Sequence, residues 1–188
     1  LADVQSEDPD LDLLPAAVGG DLDAFEALVR RYQRRIVTFV RAFAGEADAE
    51  DLAQEVFVRV FKALAGFRGD SSFRTWLYKV AINVGRSHGD RRRRHETVWA
   101  DSGADETTPF DPVDAGDFEA ALVTRDAVAR ALETLPEELR VAVTLRDIHG
   151  LDYRDIAETT GAPMGTVESR IFRARQRLRL SLGSLRAR

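Results

Sequence analysis

No cysteine occurs anywhere in the chain, which excludes a disulfide framework and any thiolate metal site. That usage fits a reducing cytoplasm. Histidine is almost as scarce: His88, His95 and His149 stand far apart, and no Gly-rich phosphate loop of the P-loop or dinucleotide type is present. With no visible nucleophile–base pair or ligand set, neither catalysis nor a metal or cofactor is expected. His149-Gly150 suits a helix end, where a histidine complements the dipole. No segment approaches the roughly eighteen apolar residues of a membrane span. The opening Leu1-Ala-Asp-Val-Gln-Ser-Glu-Asp8 is acidic and lacks the basic segment and apolar core of a secretory signal. The expectation is a soluble cytoplasmic protein without membrane insertion.

Positive charge is missing from two stretches. Residues 1–23 hold seven acids and no base, and residues 99–119 repeat that count. The net charge of −5 therefore conceals segregation, because bases gather at Arg86–Arg94 and in the last helix. Phosphate neutralisation supplies most non-specific DNA affinity. A chain with this balance binds DNA weakly alone and needs a larger partner to hold it there.

The basic C-terminal stretch has an internal order. Asp152 can cap a helix running through Ile156 and Ala157, with Asp155 in its first turn. Gly161 supplies a turn, and Pro163 is tolerated at the start of the next helix. There Val167, Ile171, Ala174 and Leu178 recur at steps of four, three and four, one inward stripe. Thr166, Ser169, Arg170, Arg173 and Arg177 fall mainly on the other side. From Met164 to Arg188 there are seven arginines against one acid, Glu168. This is the pattern of a helix-turn-helix, whose second helix lies in a DNA major groove. Arginine forks match guanine O6/N7 and phosphate oxygens. The competing explanation is an ordinary amphipathic helix with a solvated basic face.

Helical period dominates elsewhere too. Apolar residues from Phe25 to Phe43 mark a long amphipathic helix, opened by an approximate capping box at Asp23 and Glu26. A second helix runs from Asp48 to about Ala65, with Leu52, Val56, Phe57, Val60, Phe61 and Leu64 as its apolar face. A third begins near Asp70–Ser72 and weakens at Gly85 and Gly89. Phe73 and Trp76, beside Val80, read as core aromatics. The fold class expected is all-α, in two small helical domains joined by an acidic flexible linker. The boundaries expected are an acidic N-terminal segment 1–20, a first domain 21–95, a linker 96–119 and a helix-turn-helix domain 120–188.

Two blocks now resemble a known family. Asp48-Ala-Glu-Asp-Leu-Ala-Gln-Glu-Val-Phe-Val-Arg-Val-Phe-Lys and Phe67-Arg-Gly-Asp-Ser-Ser-Phe-Arg-Thr-Trp-Leu-Tyr-Lys-Val-Ala-Ile-Asn are similar to region 2 of bacterial sigma factors, the extracytoplasmic-function (ECF) group of the sigma-70 family. Leu135-Pro-Glu-Glu-Leu-Arg through Arg175 resembles region 4 of that group, in the right order and at the right distance. The resemblance implies a dissociable specificity subunit that binds core RNA polymerase, recognises −10 and −35 promoter elements and helps melt the −10 region. It implies docking on the β′ clamp helices through Asp51, Gln54, Glu55, Val58 and Lys62, with the β subunit as a further partner. An anti-sigma factor is the implied regulator.

The same resemblance places single-stranded −10 recognition on the third helix and the loop before it. Cationic tracks and unstacked-base pockets suit such a ligand. Arg68, Arg74, Lys79, Asn83, Arg86, Arg91 and Arg92 are the candidates, with Arg93 and Arg94 extending the run; the Asn83 amide can both donate to and accept from an extruded base. In region 4 the double-stranded −35 element falls to Thr166, Glu168, Ser169, Arg170, Phe172, Arg173, Arg175 and Arg177. Glu168 departs from the family, where many relatives carry a base. A glutamate can accept from cytosine N4 or simply weaken a phosphate contact. Phe172 can meet a thymine methyl or pack inward. Two other readings stay open: a stand-alone helix-turn-helix regulator, which would bind its operator without polymerase, and an enzyme with a DNA-binding appendage.

Overall fold

The structure, a computed structural model of the chain, describes residues 10–45, 47–99 and 125–186, with the side chains of 92–99, 125–126 and 184–186 excepted. The described elements are all helical: α1 (Leu14–Val18), α2 (Leu22–Ala44), α3 (Ala49–Leu64), α4 (Phe73–Trp99), α5 (Arg125–Glu133), α6 (Glu137–Val143), α7 (Tyr153–Thr160) and α8 (Met164–Arg186). A π-helical turn, Thr144–Ile148, continues α6. No described helix is long and apolar enough to cross a membrane.

In α2 the buried residues Leu28, Tyr32, Ile36, Phe39 and Val40 keep the spacing of one helical face. They meet Leu52, Val56, Val60 and Leu64 of α3 and Phe73, Leu77, Ala81 and Ile82 of α4. The start of α2 differs from its expected position. The cap is Asp21, whose carboxylate accepts from the Asp23 and Ala24 amides at 2.9 and 3.1 Å. Residues 10–20 are more than an acidic lead-in, because α1 packs on α2 and Asp10 is fully buried. Arg31 Nη1 donates to Asp10 at 2.7 Å and the Tyr32 hydroxyl donates to its other oxygen. A buried carboxylate is tolerable only with partners of this kind.

Helix α4 does not weaken at Gly85 or Gly89 but continues to Trp99, four residues into the span expected to be linker. Packing explains the first glycine. A Cβ on Gly85 would lie 2.5 Å from the Phe43 ring, so only glycine lets α2 and α4 approach here. The rest of the expected linker, 100–119, lies outside the described residues. Phe73 is buried and Trp76 packs on Phe67 and Phe73, with centroids 5.2 and 5.9 Å away, as the core reading requires.

The C-terminal unit follows its sequence closely. Asp152 caps α7, its side chain accepting from the Asp155 amide at 2.7 Å. Gly161 takes a left-handed conformation at φ 69°, which glycine reaches without Cβ strain. Val167, Ile171 and Ala174 of α8 are buried, and α5 and α6 pack against that helix. The two units pack against each other. Val141, Ala142, Leu145, Leu151 and Ile156 join the same apolar core as α2, α3 and α4. At its centre lies His149, 5.6 Å from the Phe39 ring and 5.1 Å from Tyr78, centroid to centroid. His149 does sit at the helix end expected from sequence, capping the Thr144–Ile148 turn, but there it is a buried interdomain residue. Burial, with a lesser push from Arg35, lowers its pKa to about 4, so it is neutral.

Candidate polymerase and nucleic-acid interfaces

Three surfaces carry the residues singled out by sequence. On α3, Asp51, Gln54, Val58 and Lys62 are exposed. Gln54 and Val58 line a crevice of about 660 Å³ between α2 and α3, together with Leu22, Phe25, Val29, Phe57 and Phe61. Leu22 is 64% exposed and Phe61 49%. Phe61 therefore lies at the surface rather than in the core expected from its spacing, and Leu22 joins it there unanticipated. The sequence does carry a signal for this: α3 has more apolar positions than one helix stripe can bury. Apolar area beside acidic and amide groups is the composition of a protein-docking face.

Glu55 behaves differently from its neighbours. Its carboxylate accepts from Arg59 at 2.6 Å and from Arg91 of α4 at 3.2 Å. One member of the expected polymerase set is therefore neutralised by one member of the expected −10 set. Both fasten α3 to α4.

Along α4, Lys79, Asn83 and Arg86 are exposed at steps of four and three, so they share a face. Arg68 is exposed in the loop ahead of the helix. Arg74 is half-buried and contacts Asp155 of α7 at 3.5 Å, while Arg86 Nε donates to Glu137 of α6 at 3.2 Å. The side chains of Arg92, Arg93 and Arg94 lie outside the described residues.

On α8 the buried stripe fixes which residues face outward. Ser169, Phe172, Arg173 and Gln176 project opposite Val167, Ile171 and Ala174; Phe172 is 63% exposed. Exposure on this scale excludes inward packing of Phe172. Gln176 is an addition to the expected set, and its place four residues beyond Phe172 is the signal that marks it. Glu168 is exposed on one flank and Thr166 and Arg177 lie on the other. Ser169 Oγ donates to the Thr166 carbonyl at 2.9 Å. Two arginines are engaged within the unit. Arg170 donates to Glu138 of α6, and Arg175 holds Asp147 by two bonds of 2.6 and 3.0 Å. The Asp147 contact is the main cause of a raised Arg175 pKa. Arg173 is exposed and makes no ion pair among the described residues.

Comparison with known proteins decides what these surfaces belong to. Family models for Sigma-70 region 2 and Sigma-70, region 4 match residues 28–95 and 125–178. The RNA polymerase sigma-H factor of Pseudomonas aeruginosa is 39% identical, over 96% of this chain and 97% of that protein. The chain belongs to the ECF group of the sigma-70 family. The ECF RNA polymerase sigma-E factor of Escherichia coli is 37% identical, over 84% of this chain and 85% of its own length. Two solved structures are similar in fold. CnrH in complex with the cytosolic domain of CnrY has 28% identity and a TM-score of 0.67, covering 93% of this chain and 97% of that one. The sigma factor RpoE with the anti-sigma factor NepR from Bartonella quintana has 25% identity and a TM-score of 0.68, covering 86% and 98%. The sigma factor directs promoter-specific initiation by core RNA polymerase and is not a stand-alone regulator. Members of its family are non-enzymatic initiation factors.

Proposed function

We propose that the three surfaces divide promoter recognition among them. The α3 face with Asp51, Gln54, Val58 and Lys62, extended by Leu22 and Phe61, docks on the β′ clamp helices, and the β subunit is a further contact. Charge at such a face sets register and encounter rate more than affinity. Lys79, Asn83 and Arg86, with Arg68 and Arg74, take the separated −10 strand, Asn83 meeting an extruded base. The outward row of α8 enters the −35 major groove, where Arg173 reads a base edge, Phe172 meets a thymine methyl and Glu168 accepts from cytosine N4. Arg170 and Arg175 belong to the scaffold of that helix. An anti-sigma protein is the proposed resting partner, and action on core polymerase places the work in the cytoplasm.

The observation that carries this reading is the outward Arg173 beside exposed Phe172 on a helix held outward by the Gly161 turn. Run-off transcription with core enzyme tests it. Arg173→Ala is expected to lower −35-dependent initiation by an amount equivalent to ~1–3 kcal/mol, the value of a good bidentate base contact. Asp51→Arg is expected to weaken core binding while helical content stays at the wild-type level. Wild-type output from both variants would remove the assignment of these faces.

A further inference from the structure

Winding loosens at the end of α6. The His149 amide donates to the Thr144 carbonyl at 3.1 Å, five residues back, which is π-helical spacing. Such turns recur at functional sites. This one turns Thr144 and Leu145 inward and sends the next two side chains to different helices. Arg146 reaches the start of α7. Its Nη1 donates to the Leu151 carbonyl at 2.8 Å, and its guanidinium lies 4.8 Å from the centre of the Tyr153 ring, at the first position of that helix. Asp147 reaches α8, where it accepts two bonds from Arg175 at 2.6 and 3.0 Å. Tyr153 acts on Arg175 as well, adding to the rise in its pKa that Asp147 chiefly causes. These four side chains join the π-helical turn to both helices of the helix-turn-helix.

The apolar contacts of Val167, Ile171 and Ala174 hold α8 on the unit, but burial of this kind has no direction. A two-bonded arginine–carboxylate pair does. The Asp147–Arg175 side chains are 38% and 48% exposed, and a pair this exposed adds little stability. Its value lies in placement. Arg175 stands two residues beyond Arg173 and three beyond Phe172, so wherever Asp147 holds Arg175, the reading side chains follow. Base-edge hydrogen bonds weaken steeply as distance and angle drift. We propose that Arg146 and Asp147 are positioning residues for −35 reading. Together they set the angle between α7 and α8, and through it the seating of Phe172 and Arg173 in the groove. The inference rests on the −35 assignment above and deepens it, because it gives a part in base selection to two residues outside the recognition helix.

Holoenzyme made from core polymerase and the full chain, transcribing a randomised promoter library, tests it. Asp147→Ala is expected to relax base selection several-fold in the upstream block, at unchanged helical content and with the downstream block untouched. Arg175→Ala is expected to match it, and the double variant to go no further than either, as for two halves of one contact. Exchanging the pair, Asp147→Arg/Arg175→Asp, is expected to restore selection. Arg146→Ala is expected to relax the same block; if it loses helical content, the Asp147 and Arg175 variants still decide the question. Affinity for one selected promoter duplex is then followed against potassium chloride. The slope is expected to stay at the wild-type value in both single variants. Wild-type selection by Asp147→Ala would overturn the proposal. So would failure of the exchange, or a salt slope flattened by about 0.9 in Arg175→Ala, the mark of a lost phosphate contact. A wild-type chain that selects no upstream block would instead remove the −35 assignment itself.

Discussion

Replacing Phe39 with alanine is expected to lower the unfolding free energy by about 3–5 kcal/mol, the usual cost of removing a buried aromatic ring. Phe39 is fully buried. Its ring meets Phe43, Tyr78 and His149 at centroid distances of 5.7, 5.1 and 5.6 Å, all in near-perpendicular geometry. Those partners come from three different segments, so no single side-chain shift can refill the void. Edge-to-face pairs add about 0.5–1.5 kcal/mol beyond area alone. A midpoint shift in urea at unchanged m-value would confirm it. A change under about 0.5 kcal/mol would mean that the seam between the domains is not formed in solution.

Acid should weaken the same seam through His149. Its pKa falls from the ordinary 6.5 to about 4 in the folded chain, chiefly through burial and secondly through Arg35. The unfolded chain therefore binds this proton first as pH falls, and stability is lost between about pH 6.5 and 4. Above that window the contribution is complete; below it both states are protonated and the loss stops growing. A tenfold difference in proton affinity between folded and unfolded chains is worth about 1.36 kcal/mol, so the total is about 3 kcal/mol at most. Asp155 works in the opposite sense. Its carboxyl is raised mainly by burial, so it makes the fold relatively more stable as pH falls through that raised value. Comparison with His149→Gln isolates the histidine: denaturant titrations from pH 7 to 4 should show a shallower loss in the variant. Parallel curves would mean that His149 is solvated.

Local chemistry makes the helix-turn-helix legible. The Asp152 cap, Gly161 and Pro163 act within a few residues, and the α8 stripe repeats at helical spacing. The α2 and α3 stripes are legible for the same reason. What cannot be read depends on partners distant in sequence. Gly85 looks like a helix breaker until Phe43 is seen against it. Asp10 looks like one more surface acid until Arg31 and Tyr32 enclose it. The arginines show the limit most clearly. Charge alone cannot separate Arg173, which faces outward, from Arg175, which grips Asp147, or from Arg86, which meets Glu137 fifty-one positions away. Counting bases identifies the ligand class; only packing shows which bases are available to it.

This chain gives core RNA polymerase a promoter preference. Transcription by core enzyme over a randomised promoter library, with and without the chain, tests it most directly. The expected result is chain-dependent transcripts from templates sharing two short blocks at fixed spacing, with Arg173→Ala relaxing selection only in the upstream block. Transcripts that are the same with and without the chain would contradict it.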